Sequence, residues 1–354
     1  MTIGERIRSA RRLEGMSQEQ LASNVGVSAM AISKYERNED VPSSGVLLRL
    51  ARALEVSIEY FFRTARIRLS APQYRRRASL SESQCERIIA QVQEWVERYI
   101  EVEHLLQVQR APDLPASYPV SSVEDAEQAA SSLREHWKVG EDAIENVLEL
   151  LEDHGIKVGV IDGPDGFDAL TLWANDTIPV IVVKHGIPGD RQRFCLAHEL
   201  GHLVMDVNEH LDNNQVEKLA NRFAGALLLP PAAARQELGD QRQNLDMYEL
   251  GHLKRKYGIS MQASIYRAKD LGILTAKSAQ SLFKIFNKNG WKREEPGAPL
   301  PAEEPQRFKM LVIRALTEDV ISEGRAAELF GVPLSQFRQK EAERYGEPPA
   351  VLCD

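Results

Sequence analysis

His198-Glu199-Leu200-Gly201-His202 lies inside FCLAHELGHLVM, a run with helical spacing and no proline. Residues four apart on a helix share one face, with Cβ atoms about 5–6 Å apart, so both imidazoles can reach one metal ion. Glu199 projects beside them, where a carboxylate can take a proton from an attacking water. Two histidines and a glutamate in this spacing are the arrangement of a zinc hydrolase. With 8 histidines among 354 residues, the pattern is not a by-product of composition. A third ligand is available downstream. Glu217 and Asn221 again stand four apart, in EKLANRFAGALLLPP, a run that Pro230 and Pro231 should stop. Glu217 completes a His-His-Glu set with a fourth position open, and Asn221 can hydrogen-bond the outer nitrogen of a ligand histidine and fix its tautomer. Glu209 and His210 compete for the third position, but they fall in the loop VNEHLDNNQ. The cofactor expected from this set is one zinc ion per chain.

The other end of the chain carries a second pattern. MSQEQLASNVGVSAMAISKYE, Met16 to Glu36, reads as helix, tight turn, helix. Ser17 can cap the first helix with Gln20 as its capping-box partner. Gly26 permits the left-handed conformation between the helices. Leu21, Ala22, Val25, Val27, Ile32 and Tyr35 supply the apolar face. In a DNA-binding helix-turn-helix the second helix enters the major groove by its N-terminal residues. The expected DNA contacts are Ser28, Ala29, Met30, Ser33, Lys34, Arg37 and Asn38, with Gln18 meeting a phosphate from the first helix. Ala29, Met30 and Ala31 can touch thymine methyl groups but make no bidentate hydrogen bonds. The flank is basic: Arg63, Arg66, Arg68, Arg75, Arg76 and Arg77 follow one another without an acidic residue between them. That run can track phosphates or pair with the acidic remainder of the chain.

The chain resembles a fusion of a Xre/Cro/C1-type helix-turn-helix with an ImmA/IrrE-family metallopeptidase. QEQLASNVGVSAMAISKYE carries the first likeness; RQRFCLAHELGHLVM and VEKLANRFAGALLLPP carry the second. AEQAASSLREHW, NVLELLEDHGIKV and YGISMQASIYRAKDLGI are also similar to that family, so the resemblance spans residues 1 to about 295. It implies that His198, His202 and Glu217 bind zinc and that Glu199 is the catalytic base and acid. It also implies a cytoplasmic regulatory role, the cleavage of a repressor or antitoxin-like protein in a stress or mobile-element response.

Bulk properties narrow the classes further. The net charge of −8 argues against blanket affinity for nucleic acid, so DNA contact must be local. The start MTIGERIRSARR lacks the apolar core of a signal peptide, and no apolar run approaches the ~20 residues of a membrane helix. Cys85, Cys195 and Cys353 form no C-x-x-C, which fits a reducing cytosol. The expected location is therefore cytoplasmic, with no membrane contact. Cys195, three residues before His198, reads as a small core residue, with a redox-sensing thiol as the alternative.

The elements that must position these groups are also legible. Helices over Ile3 to Leu13, Ser43 to Leu54 and Ser57 to Phe61 complete a five-helix N-terminal domain. Residues 78–107 form an amphipathic helix whose stripe of Ile88, Ile89, Val92, Trp95, Val96, Tyr99, Ile100 and Leu105 reads as core, or alternatively as a dimer face. RAPDLPASYPVS, with three prolines, reads as a linker. Helices are expected over 123–137 and 141–154. Then KVGVID, ALTLWA and PVIVVK read as short strands of a small sheet beside the H-E-x-x-H helix. PVIVVK or ALTLWA can align a substrate peptide by strand addition. Helices are expected again over 244–256, 261–271 and 276–289. REEPGAPLPAEEP reads as a second linker, and ISEGRAAELFGVPLSQFRQKE as a helical pair with Gly331 at its turn and Pro333 at the start of its second helix.

The expected fold is mainly α. A five-helix helix-turn-helix domain (1–65) leads through a basic flank, helix and linker (66–122) to an α+β zincin-like metallopeptidase domain with a small sheet (123–292). A linker and C-terminal helical module follow (293–354). The expected function is a cytoplasmic zinc endopeptidase with a DNA-binding head. The alternative is a DNA-binding repressor or antitoxin whose metallopeptidase-like body senses a ligand or holds a partner without turnover. The partners expected are DNA, bound as a homodimer on a roughly palindromic site, and a protein substrate such as a helix-turn-helix repressor or toxin–antitoxin partner. His210, Tyr248, His252, Tyr257, Tyr266 and Arg267 are the candidates for stabilising an oxyanion.

Overall fold

The computed structural model describes residues 2–62, 67–70, 80–292 and 294–345, with the backbone alone at 59 and 340–345. The expected contacts of Arg63, Arg66, Arg75, Arg76 and Arg77 lie outside these residues, as does Cys353. Among the described residues no helix is long and apolar enough to cross a membrane.

Four α-helices open the chain: α1 (Ile3–Leu13), α2 (Gln18–Val25), α3 (Ala29–Glu36) and α4 (Ser44–Ala53). The fifth expected helix is a short 3-10 segment, Ile58–Phe62. Ile7, Leu21, Ile32, Leu50 and Phe61 close a core between them. Ser17 and Gln20 form the capping box of α2, and Gly26 ends that helix at φ 71°, a left-handed position open to glycine at little cost.

The long helix α5 (Glu82–Leu106) is the spine of the molecule. Its stripe is core: Ile88, Val92, Val96 and Ile100 lie against the sheet, while Tyr99 and Val102 face the C-terminal helices. Leu105, assigned to the same stripe from sequence, is 42% exposed. Three acidic residues of α5, Glu94, Glu97 and Glu103, are buried with partners. Glu97 takes the Arg6 guanidinium of α1 at 2.5 Å, over the ring of Tyr60. Glu103 takes the Lys157 ammonium at 2.6 Å. Removing one partner of such a pair leaves an uncompensated buried charge, so these contacts fix the N-terminal unit and the sheet to one helix.

The central body follows: β1 (Tyr118–Val120), α6 (Val123–His136), α7 (Val147–Asp153), β2 (Lys157–Ile161), β3 (Ala169–Ala174), β4 (Ile178–Lys184), α8 (Gly189–Val204), β5 (Met205–Val207) and α9 (Asn213–Leu228). The first expected linker is thus partly a strand, because β1 pairs in parallel with β5, Tyr118 beside Met205, across a separation in sequence that no local pattern reports. The helix expected over 141–154 begins only at Val147. Upstream, the carbonyls of Gly140 and Asp142 accept from Arg134, and those of Ile144 and Glu145 accept from Arg193. Buried guanidinium groups replace the helical bonds there. The sheet runs β2-β4-β3, with β2 parallel and β3 antiparallel to β4. PVIVVK is therefore the central strand with both edges paired, and ALTLWA is an edge.

After α9 the chain does not simply stop at its prolines. Pro231 opens a further helix, α10 (Pro231–Leu238), before α11 (Met247–Tyr257), α12 (Met261–Asp270) and α13 (Ala276–Lys288). The second expected linker is a docked strap. Glu295 accepts from the Met261 and Gln262 amides that open α12. Glu303 accepts from the Val147 and Leu148 amides that open α7 and pairs with Arg193 of α8. The tail holds three helices, α14 (Arg307–Thr317), α15 (Glu323–Phe330) and α16 (Leu334–Tyr345), packed on α5 through Leu311, Val312 and Tyr99.

Glu152, on α7, accepts from the Gln306 and Arg307 amides where α14 begins. Burial pushes its carboxyl up to about 7, against the pull of these amides and the Arg307 charge. The folded value lies above the ordinary 4.5, so the stabilisation this group gives is complete below that value and declines as the pH rises toward about 7. The urea midpoint should fall between pH 5 and pH 8, and the fall should be smaller in Glu152→Gln. An equal fall in both proteins would remove Glu152 as its source.

Candidate metal centre and helix-turn-helix surface

The helix α8 buries Leu196, Ala197, Leu200 and Val204 in the central core and turns His198 and His202 toward α9. Gly201 sets how near α9 comes. A Cβ there would stand 3.0 Å from the Phe223 ring, so the two helices are as close as a glycine allows. Asp212 caps α9 with Gln215 as capping-box partner. Arg222 anchors its middle to Glu127 of α6 and Asp270 of α12. Glu217 and Asn221 are thereby held over α8.

Three potential ligands converge. The Nε2 atoms of His198 and His202 are 3.1 Å apart. The Glu217 carboxylate faces both, Oε2 lying 3.3 Å from His198 Nε2 and Oε1 3.6 Å from His202 Nε2. Donors at about 2.0–2.1 Å from one tetrahedral ion lie roughly 3.3 Å from one another, so the paired Nε2 atoms with one carboxylate oxygen beside them can close on zinc. On its outer side His198 Nδ1 is 3.0 Å from Asn221 Oδ1, which leaves Nε2 as the lone pair facing inward. Burial opposes protonation of both rings. At His198 the hydrogen bond to Glu217, the charges of Glu199 and Glu217 and the contact with Asn221 outweigh it and raise the value. At His202 burial and the neighbouring His198 push it down to about 4, leaving the neutral ring that a metal requires. Among the described residues, His198, His202 and Glu217 are the cluster of His, Cys, Asp and Glu groups able to hold a metal. Glu209 and His210 are exposed in the loop before α9 and do not join it.

Glu199 is 7% exposed. Its backbone carbonyl accepts from Thr171 Oγ1 of β3 at 3.2 Å, which ties the edge strand to the metal-site helix. Trp173 uses its amide and carbonyl on Ser70, so by strand alternation the amides and carbonyls of Ala169 and Thr171 also point away from β4. Residues 68–70 close the far end of that edge, where Leu69 bridges Ala174 in antiparallel sense and the Asn175 amide donates to the Arg68 carbonyl. Thr171 and Gly201 escape sequence reading because each matters only through a contact with a different element.

The oxyanion candidates fare unevenly. Arg267 is buried, donating to the Leu229 carbonyl and paired with Glu127. Tyr257 donates to Glu237. Tyr266 packs on Phe283. Tyr248 and His252 line a separate small cavity with Glu237 and Leu253. His210 is in the exposed loop. Cys195 is half-buried against the central core.

On the N-terminal unit, α3 presents Met30, 70% exposed, together with exposed Ser28, Lys34 and Arg37. Ser28 Oγ caps α3 by accepting from the Ala31 amide, and Ala29 packs partly on the core. Arg37 bonds Glu39 through two nitrogens and also reaches Ser33 Oγ. Asn38 accepts from the Gly4 amide, and Gln18 donates to buried Glu36. Both side chains are thus engaged within the unit, Gln18 partly buried and Asn38 exposed. Burial resists ionisation of Glu36, but hydrogen bonds from Arg11 and Gln18 and the charges of Arg11 and Arg8 hold its carboxyl below the usual range.

Residues 151–269 match the family described as IrrE N-terminal-like domain, Peptidase_M78, and residues 7–61 match the family described as helix-turn-helix. A transcriptional regulator in the ATPase CF(0) region of Rhodospirillum rubrum is 43% identical over 60 residues, 17% of this chain and 56% of that protein. Repressor protein C2 of Salmonella phage P22 is 43% identical over 61 residues, 17% of this chain and 28% of that protein. The cryptic phage CTXphi transcriptional repressor RstR of Vibrio cholerae is 37% identical over 59 residues, 17% of this chain and 53% of that protein. The chain spans about half or less of the length of these relatives. By these matches it joins a helix-turn-helix domain of the Xre type, residues 7–61, to an IrrE N-terminal-like domain of the M78 peptidase family, residues 151–269.

Proposed function

We propose that the protein is a zinc-dependent endopeptidase with a DNA-binding head, cleaving a cytoplasmic regulatory protein such as a helix-turn-helix repressor or antitoxin. The observation that carries this reading is the convergence of ligand atoms of His198, His202 and Glu217 within 4.8 Å of one another, beside the buried Glu199. A zinc ion held by these three residues would supply a Lewis acid that activates water and polarises a peptide carbonyl. Glu199 takes the proton of the attacking water and returns it to the leaving amine. Asn221 holds the His198 tautomer. Of the two candidate strands, β3 is the one at an edge of the sheet, and it aligns the substrate backbone by strand addition. A specific partner, rather than unfolded chains in general, suits a peptidase fused to a DNA-binding head.

The test is to incubate the zinc-loaded full chain with a cytosolic extract and label new protein N-termini. New termini in one or a few proteins, absent with Glu199→Gln, are expected. Rapid digestion of casein would contradict the restricted specificity. The names of the aligned relatives favour a second reading, a repressor whose body binds its partner without turnover.

For the DNA-binding head we propose α3 in the major groove, with the protein bound as a homodimer to a site near its own gene. Lys34→Ala removes an exposed cation and should weaken binding about 10-fold, lowering the salt slope by about one. Arg37→Ala should do less, because Glu39 already holds that guanidinium. A gel-shift titration with no binding at low salt by the wild-type full chain would end this part of the reading.

A further inference from the structure

The three C-terminal helices repeat the first three. Ser322 caps an eight-residue helix, α15, as Ser17 caps the eight-residue α2. Gly331 ends α15 at φ 68°, and Gly26 ends α2 at φ 71°. The Val332 amide then returns to the Ala327 carbonyl at 3.0 Å, as that of Val27 returns to Ala22 at 3.1 Å. Five buried positions correspond in one register: Val312 to Ile7, Ala315 to Ala10, Ala326 to Leu21, Ala327 to Ala22 and Phe337 to Ile32; at the end of α15 buried Leu329 and partly buried Phe330 stand where α2 has exposed Asn24 and buried Val25. A shared capping serine and turn glycine with five matching buried positions give α14–α16 the form of a helix-turn-helix, now built around Phe308, Phe330 and Phe337.

The surface it presents suits nucleic acid better than α3 does. Leu334, Ser335, Gln336, Arg338 and Gln339 at the start of α16 are exposed, and Phe337 alone among them turns inward. In register, Gln336 stands where α3 has Ala31, and Arg338 where it has Ser33. Glutamine is the side chain that reads adenine through two hydrogen bonds, and arginine the one that reads guanine. Both helical units lean on α5, Arg12 pairing with Glu86 and Arg325 with Glu101. One rigid helix therefore fixes their separation. We propose that α14–α16 is a second DNA-binding helix-turn-helix, reading duplex DNA through Gln336 and Arg338 at the N-terminal end of α16. It does not depend on α3 binding DNA. In the free protein Arg338 pairs at 2.8 Å with Glu323, an exposed contact that a phosphate or base can displace at little cost.

The test uses the full chain and duplexes selected by it from a random pool. The double variant Gln336→Ala/Arg338→Ala should bind its selected duplex at least 10-fold more weakly and protect a shorter stretch from hydroxyl radicals, at unchanged melting temperature. Glu323→Gln, which removes a negative charge and releases Arg338, should bind several-fold more tightly. Unchanged affinity and footprint in both variants overturns the proposal. So does a shift in oligomeric state without a change in footprint, which would make the face a contact between copies. Lys34→Ala separates the two heads: loss of all binding in that variant, with the α16 variants silent, removes the second head and leaves the first. Residual binding that the α16 double variant abolishes supports the second head.

Discussion

Glu199→Gln should reduce cleavage by about 10²–10⁴-fold while the chain still holds one zinc ion. An amide of the same shape cannot accept the proton of the attacking water, and it is not one of the three converging ligands. The buried setting makes the contrast sharp. Glu199 is 7% exposed, and its backbone is tied to Thr171, so the substitution changes the protonation chemistry and leaves α8 in place. Metal content by atomic absorption and appearance of the cut product are read on the same preparation. Full cleavage by the variant would take Glu199 out of the reaction. Loss of zinc would mean that the carboxylate holds the metal or the helix. Retained cleavage-independent regulation in cells would move the weight to the non-hydrolytic repressor reading.

What the sequence could reveal follows from how local each feature is. His198 and His202, Glu217 and Asn221, and the Ser17–Gly26–Ser28 turn are all short-range spacings, and a helix converts such spacing directly into geometry. The strap from Glu295 to Glu303 was opaque for the opposite reason. Its prolines and acids read as a linker, yet its carboxylates cap α12 and α7, whose amides lie far away in sequence. The segment 141–146 fails as a helix because Arg134 and Arg193 take its carbonyls. From sequence Pro231 is a stop for α9, and it is also the first residue of α10, a position where a helix makes no use of the missing amide. The β3 edge was one of two alternatives because strand order is a property of the sheet and not of either strand.

His198→Ala, His202→Ala and Glu217→Ala should each lose zinc, whereas Asn221→Ala should keep it with affinity or activity lowered roughly 10–100-fold. Each of the three residues brings a ligand atom within 4.8 Å of the other two, so removing any one leaves the set with two donors. Asn221 acts through His198 Nδ1, so its loss frees the ring to turn without taking a donor away. Competition with a zinc-binding dye measures the order. The melting temperature supplies an independent reading, because an ion that binds only the folded chain stabilises it by about 2.7 kcal/mol at a hundredfold excess over Kd. Zinc should therefore raise the melting temperature of the wild type and of Glu199→Gln, raise that of Asn221→Ala only at higher concentration, and leave the three ligand variants unmoved. Zinc retained by Glu217→Ala would assign the third position to another group, with Glu209 and His210 in the loop before α9 the next to substitute. Zinc lost in Asn221→Ala as completely as in His198→Ala would make the amide a ligand in its own right, and the separation of roles drawn from the 3.0 Å contact would fail.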